Sequence, residues 1–248
     1  PATPLRVAIL ADDAMAESLN GCLSALSSAE RIAATTISGE AIRAGALGDV
    51  DVLLLPGGSG SAQCRALGKE GGRLVEQRVA EGMGCIGVCA GGYALIRGEG
   101  DDVFSNVALV NADLLDGEHW ERGVGTLHVV PVGVSAEPFA IHYENGPLWS
   151  RATDPAMPAC TVLANFVDDI HQNSAPEGIV PGTPAIVAAP FGRGRVVLFS
   201  PHPELTPGLG HLLVAAVRWA SRGPLPDGEA ITWQSVFGDL GRPSRSAE

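Results

Sequence analysis

In the first third of the chain, apolar residues fall into short unbroken runs that alternate with stretches of helical spacing. Residues 6–10 (RVAIL) form a β-branched run. The polar pair Asp12 and Asp13 follows, and residues 15–26 then carry apolar side chains at near-helical intervals, so a strand and then a helix are predicted. Residues 32–37 (IAATTI) predict a second strand. Residues 51–55 (DVLLL) end in Pro56-Gly57-Gly58 and look like a strand buried on both faces. Residues 68–81 are charged on one side and apolar at Leu74, Val75 and Val79, which predicts a helix leading into a strand at residues 85–88. This alternation predicts an α/β fold, with a doubly wound, mostly parallel sheet flanked by helices. Reactive groups in such sheets collect at the carboxyl ends of the strands, where Gly57, Gly58 and Cys89 fall.

The pattern changes after residue 101. Short β-like runs at residues 125–132, 139–143, 161–167 and 185–189 are separated by Pro- and Gly-rich turns, which predicts antiparallel additions walling one side of the site. Residues 191–195 (FGRGR) read as a hairpin turn, and residues 212–220 as a closing amphipathic helix. The tail after Arg222 is rich in Pro, Gly and Ser and is expected to pack loosely. One domain over residues 1–222 with a C-terminal extension over 223–248 is therefore expected.

Composition narrows the function. Apolar residues make up 46% of the 248 positions and charged residues 18%, as in a well-packed globular protein. A formal net charge of -12 argues against nucleic acid, whose binding draws on clustered Lys and Arg. No apolar run approaches the roughly 20 residues of a membrane span, so no membrane association is expected. The N-terminus has no basic stretch leading into an apolar one, so no secretory signal is read. Five cysteines, an odd number without CxxC spacing, suggest neither a disulfide framework nor a zinc site. A cytoplasmic location without metal or cofactor is expected.

Gly87-Val88-Cys89-Ala90-Gly91 has the nucleophile-elbow pattern with Cys in the central place, after a buried strand and before a short helix expected at residues 92–96. The flanking glycines let the chain pass closely, and the helix N-terminus would favour thiolate at the sulfur. The plain alternative is a small buried cysteine in a Gly-rich turn. Ser200-Pro201-His202-Pro203-Glu204 follows the run at residues 196–199. On an extended segment His202 and Glu204 would project to the same side, letting the carboxylate orient the imidazole and the imidazole take the thiol proton. His142-Tyr143-Glu144 repeats the spacing, so H-x-E alone is weak. His202 is preferred because it follows a hairpin and a buried strand, and His142 is read as a pocket wall.

The run at residues 53–58 (LLLPGG), then residues 87–92 (GVCAGG), then GRGRVV leading into Pro201-His202-Pro203-Glu204, resemble the class I glutamine amidotransferase-like superfamily in order and spacing. Its biotin-protein-ligase N-terminal-like family offers the nearest likeness, through the Cys-Ala-Gly elbow and the loop Tyr143-Glu144-Asn145-Gly146-Pro147. The resemblance spans about residues 5 to 220 and implies a flavodoxin-like sheet. It also implies a triad of Cys89, His202 and Glu204, with oxyanion donors near Gly58 and at Ala90. Gly57, Tyr93, His142, Tyr143 and Asn145 are expected to complete the oxyanion and substrate-binding set. Tyr93 stands where glutaminases of this superfamily commonly carry Gln, so the resemblance implies an amide substrate without naming glutamine.

The expected activity is amide hydrolysis or acyl transfer through a Cys89 thioester on a small-molecule amide or acyl substrate. With no synthase domain in the chain, either a stand-alone amidase or a partner synthase or ligase subunit is implied, and a homodimer is allowed for. Two other readings stay open. One is the hydration or deglycation chemistry of ThiJ/PfpI-type proteins, which needs an acid near the end of the first strand, here Asp12 or Asp13. The other is a non-catalytic small-molecule-binding or regulatory module with an inert Cys89. Glu118, His119 and Trp120 are within possible reach of the site, Asp12 and Asp13 serve equally as helix caps, and Cys85 is read as core.

Overall fold

The structure is a computed structural model and describes residues 3–97, 107–151 and 154–238. The chain runs β1 (Leu5–Leu10), α1 (Ala16–Ser27), β2 (Ile32–Ile37), α2 (Gly39–Arg43), β3 (Val52–Leu55), α3 (Gly60–Ala80), β4 (Gly84–Val88) and α4 (Ala90–Leu95). It continues through β5 (Ala112–Leu114), β6 (Val124–Pro131), β7 (Phe139–Glu144), β8 (Trp149–Arg151), β9 (Thr161–Phe166), β10 (Pro184–Phe191) and β11 (Gly194–Phe199) to α5 (Gly210–Ala220) and α6 (Trp233–Phe237).

A nine-stranded sheet has the order β2-β1-β3-β4-β11-β10-β9-β6-β7. From β2 to β11 the pairing is parallel. From β11 to β7 it is antiparallel. The architecture is thus a doubly wound, mostly parallel α/β core with antiparallel additions. The unbroken apolar runs explain the parallel half. Every residue of β3, β4 and β11 is buried, because helices cover both faces. Two apolar clusters form on the two sides of the sheet. One joins α1, α5 and α6 to Ile9, Leu54, Ile86 and Phe199, and the other joins α3 to Leu53, Leu55 and Cys85.

Three local expectations change. The helix read at residues 68–81 begins earlier, at Gly60, and is broken at Gly68, whose φ of 62° interrupts the helical backbone. The short helix after the elbow starts at Ala90, directly after Cys89. The tail is not loose throughout. In α6, Trp233, Val236 and Phe237 are buried, with the Trp233 and Phe237 rings 4.4 Å apart and Phe237 6.1 Å from Phe199. Thr232 and Ser235 form a reciprocal capping box that starts this helix. Residues 239–248 of the expected extension lie outside the described residues. Among the described residues, no helix is long and apolar enough to cross a membrane, and all five cysteines are free thiols.

Candidate active site

Three neighbouring parallel strands, β3, β4 and β11, deliver their carboxyl ends to one edge of the sheet. Cys89 follows β4 directly with φ 48° and ψ −102°, outside the allowed regions for an ordinary side chain. Its N–H donates to Phe199 O at 2.8 Å, tying the elbow to the end of β11. Glycines make this turn sterically feasible. A Cβ on Gly91 would overlap the Leu55 carbonyl oxygen at the end of β3, and one on Gly87 would press on Gly91 at 2.8 Å.

His202 follows β11 and is fully buried. Its N–H donates to His142 O at 2.8 Å, and its own carbonyl accepts the Thr206 hydroxyl at 2.7 Å. The hydroxyl oxygen of Thr206 in turn accepts from His142 N–H at 2.9 Å. β7 therefore holds the segment carrying the imidazole. His202 and Glu204 do not share an extended run as expected. Pro203 opens a 3₁₀ turn over Pro203–Leu205, which brings Oε1 of Glu204 to 2.7 Å from Nδ1 of His202. Proline fixes φ near its helical value, so it favours such a turn as readily as an extended chain.

The Glu204 side chain is wholly buried, and its Oε1 also accepts the Ser18 hydroxyl at 2.6 Å. Burial disfavours the imidazolium, but the Cys89 sulfur and the Glu204 carboxylate on its two sides outweigh that cost. Together they raise the His202 pKa from 6.5 to about 10. The Cys89 S–H points at Glu144 O, 3.3 Å away, and Nε2 of His202 is without a hydrogen bond of good geometry. Rotation of one side-chain bond separates this resting arrangement from a thiol turned to the imidazole.

The sign of the His202 shift gives a pH dependence. The folded protein keeps a proton that the unfolded chain releases, so this stabilisation is complete below pH 6.5 and is lost as pH rises toward 10. Urea unfolding of the native protein and His202→Asn is expected to show a stability difference that shrinks across that interval. A difference that stays level or grows with pH contradicts the assignment.

A pocket of about 470 Å³ opens over Cys89 and His202. Of the expected substrate-binding residues, Gly58, Ala90, Tyr93 and Asn145 line it. Gly57 lies beneath, and a Cβ there would meet Cε1 of His202 at 2.6 Å. Tyr143 does not face the pocket. Its ring is buried edge-on to Phe166, and its hydroxyl donates to Gly146 O at 2.8 Å. A β-strand alternates its faces, so Tyr143 points into the core while its neighbours do not. His142 is half-buried, with its ring 5.7 Å from that of His202 and Nε2 3.6 Å from Glu144 Oε2, outside the pocket lining.

Tyr93 closes one side by donating its hydroxyl to Asn145 O at 3.1 Å. Burial, then the Cys89 sulfur, pushes the phenol well above its usual range. Asn145 has φ 49° and accepts Gly123 N–H through its side chain at 2.9 Å.

Gly58 and Ala90, each at a turn, both line the pocket. Ser59 N–H and Met15 N–H donate to Asp13 O and Gly57 O, and among the described residues the Gly58 N–H between them has no hydrogen-bond acceptor. Ala90 is the first residue of α4, so its N–H has no helical acceptor.

Several lining residues were not anticipated, among them Met15, Ser59, Ser61, Leu114 and Glu144. Trp120, which was, sits half-exposed at the rim. Ser18 carried one signal: with Cys22 and Leu26 it occupies the buried stripe of α1, a hydroxyl at i among apolar residues at i+4 and i+8.

Asp12 and Asp13 do not line the pocket. Asp12 caps α2 by accepting Gly39 N–H at 2.8 Å. The acid that ThiJ/PfpI-type chemistry needs beside the cysteine is therefore not supplied from the end of β1. Asp116, Glu118 and His119 bring their donor atoms within 4.8 Å of one another. The Asp116 carboxylate is already engaged by His119 at 2.6 Å and Arg122 at 2.7 Å, so the cluster closes on itself.

Fold and site define an open α/β sheet protein with a cysteine on a strand-to-helix elbow and a buried His–Glu pair on the adjoining strand. The model of the family described as "Biotin-protein ligase, N terminal" matches residues 10–96, which takes in the Gly57-Gly58 turn and the elbow. The chain is 29% identical over 168 residues to "Pyridoxal 5'-phosphate synthase subunit PdxT" of Haloquadratum walsbyi, covering 66% of this chain and 70% of that protein. It is 28% identical over 165 residues to the protein of the same name in Halorubrum lacusprofundi, covering 66% and 72%.

Among solved structures, a glutamine amidotransferase superimposes with a TM-score of 0.59 at 20% identity, over 87% of this chain and 98% of that one. A glutamine amidotransferase from Thermotoga maritima gives 0.53 at 13% identity, over 82% and 78%. In fold and in the order of its motifs the chain is similar to the class I glutamine amidotransferase-like superfamily.

Proposed function

We propose that this chain is a cysteine-dependent amidase or amidotransferase subunit, in which Cys89 is the nucleophile, His202 the base and Glu204 the residue that orients it. The observation that carries the reading is the imidazole of His202, lodged at the pocket floor with Glu204 at 2.7 Å on Nδ1 and the Cys89 sulfur on its other side.

With the His202 pKa near 10 the thiol proton rests on Nε2 as an imidazolium–thiolate pair, and the sulfur adds to the amide carbonyl carbon. The carbonyl oxygen gains a negative charge, which the free N–H groups of Gly58 and Ala90 stabilise by a few kcal/mol. The C–N bond breaks as Nε2–H protonates the leaving nitrogen, so ammonia or an amine departs and a thioester remains on Cys89. A water molecule, deprotonated by Nε2, then adds to the thioester, releases the carboxylic acid and restores the thiol.

The relatives named as subunits of a synthase support a partner chain that receives the released nitrogen. Five free thiols favour a reducing compartment such as the cytoplasm.

The test presents a panel of primary and secondary amides, L-glutamine included, and follows ammonia or amine release while intact-protein mass spectrometry looks for an acyl adduct on Cys89. Release with a trapped adduct on Cys89 is expected for at least one amide class. An unreactive thiol toward iodoacetamide at pH 7, with no adduct from any amide, would instead indicate a binding module.

A further inference from the structure

The role of Ser18 follows from its single hydroxyl hydrogen. Its side chain is fully buried on α1, with Oγ 2.8 Å from Gly57 N and 2.6 Å from Oε1 of Glu204. A backbone N–H can only donate, so Gly57 uses a lone pair of Oγ and the hydroxyl hydrogen is left for Glu204. Oε1 is therefore an acceptor there, and the same oxygen lies 2.7 Å from Nδ1 of His202. An oxygen accepting from a hydroxyl is a poor place for a carboxyl proton, because a carboxylic O–H oxygen accepts far more weakly than a carboxylate oxygen. The hydrogen between Glu204 and His202 must then reside on Nδ1.

We propose that Ser18 is a positioning residue: it commits Oε1 of Glu204 to accepting, keeps the hydrogen on Nδ1 of His202, and so presents Nε2 to Cys89. This inference rests on the reading of Cys89 and His202 as nucleophile and base. Packing supports it independently of hydrogen bonding. A Cβ on Gly57 would meet Cε1 of His202 at 2.6 Å and Oγ of Ser18 at 3.0 Å, so the turn after β3, the serine and the imidazole lie flush against one another. One turn further along α1, Cys22 is buried beside the same carboxylate. Burial, then the Glu204 charge, pushes its thiol well above the usual range, so the thiol beside Ser18 stays neutral and is a weaker acceptor for the serine hydrogen than Oε1.

The test compares native protein with Ser18→Ala, Ser18→Cys and His202→Asn by two readouts: the rate of iodoacetamide alkylation at Cys89 at pH 7, and the ring nitrogen resonances of His202 in protein labelled with ¹⁵N-histidine. Ser18→Ala is expected to slow alkylation by roughly 10- to 100-fold, the size of a lost hydrogen bond to a charged group, and to shift or broaden the Nδ1–H signal. Ser18→Cys, of similar volume but a weaker donor, is expected to fall between, and it carries the test if the alanine variant does not fold. Native rates and ring resonances in both Ser18 variants, with His202→Asn slowed, would reduce Ser18 to packing while leaving the base intact. Native rates in His202→Asn as well would remove the underlying reading instead.

Discussion

Cys89→Ala is expected to lower turnover on any amide the protein cleaves by at least about 10³-fold, or roughly 4 kcal/mol of transition-state stabilisation. The reason is covalent. Without the sulfur the pocket keeps the Gly58 and Ala90 N–H groups and the imidazole, but no atom is placed to form the acyl intermediate. The trapped adduct should vanish together with activity. The fold should survive, because the polar partners of the Cys89 side chain are Glu144 O and the His202 imidazole, both held by other bonds, and the alanine retains the backbone bond to Phe199 O.

The elbow also predicts an inverse effect on stability. Cys89 is held at φ 48°, a conformation costing a side-chain-bearing residue on the order of 1–3 kcal/mol and glycine much less. Cys89→Gly is therefore expected to be inactive and more stable than Cys89→Ala by about 1 kcal/mol in urea denaturation. Equal stability of the two variants would mean that the turn carries no strain.

Gly91→Ala is the second large effect. The added methyl has nowhere to go: it would overlap Leu55 O, and both β3 and α4 are fixed by buried packing. Such overpacking against backbone costs roughly 1–3 kcal/mol or more. The variant is expected to lose that amount in chemical denaturation, and alkylation of Cys89 should change as α4 tilts away from β3. Gly68→Ala offers the contrast. No atom lies within 4 Å of a Cβ there, so its cost is limited to the positive φ. Native-like stability in Gly91→Ala would show that α4 shifts freely, and with it the elbow.

Much of this was legible in the sequence for simple reasons. The strands β3 and β4 are buried on both faces, so their residues must be apolar throughout, and the run Val52–Leu55 announces itself. In the Gly57-Gly58 and Gly91-Gly92 pairs, Gly58 and Gly91 mark places where backbone passes backbone, and Gly57 and Gly92 places where side chains press on the turn. Less legible was whatever depends on a partner far along the chain. Ser18 looks like any serine on a helix until Glu204 arrives beside it. Tyr143 was expected in the pocket because its loop resembles a family motif, but strand alternation turns it inward. The 3₁₀ turn after His202 was hidden because proline suits both extended and turn backbones. The short helix α6 carries too few residues to show a period, although Thr232 and Ser235 stand at capping-box spacing.

The placement of β11 bears on how the molecule is assembled in time. It lies between β4 and β10, although it is the last strand among the described residues. Until the ribosome has delivered it, β4 presents an open edge of unpaired backbone N–H and C=O groups between apolar side chains, the kind of surface that invites association with other chains. The same late event brings His202 to Cys89. Nascent or truncated chains ending before β11 would thus be both sticky and without their base, and closure of the sheet and assembly of the chemistry become one step.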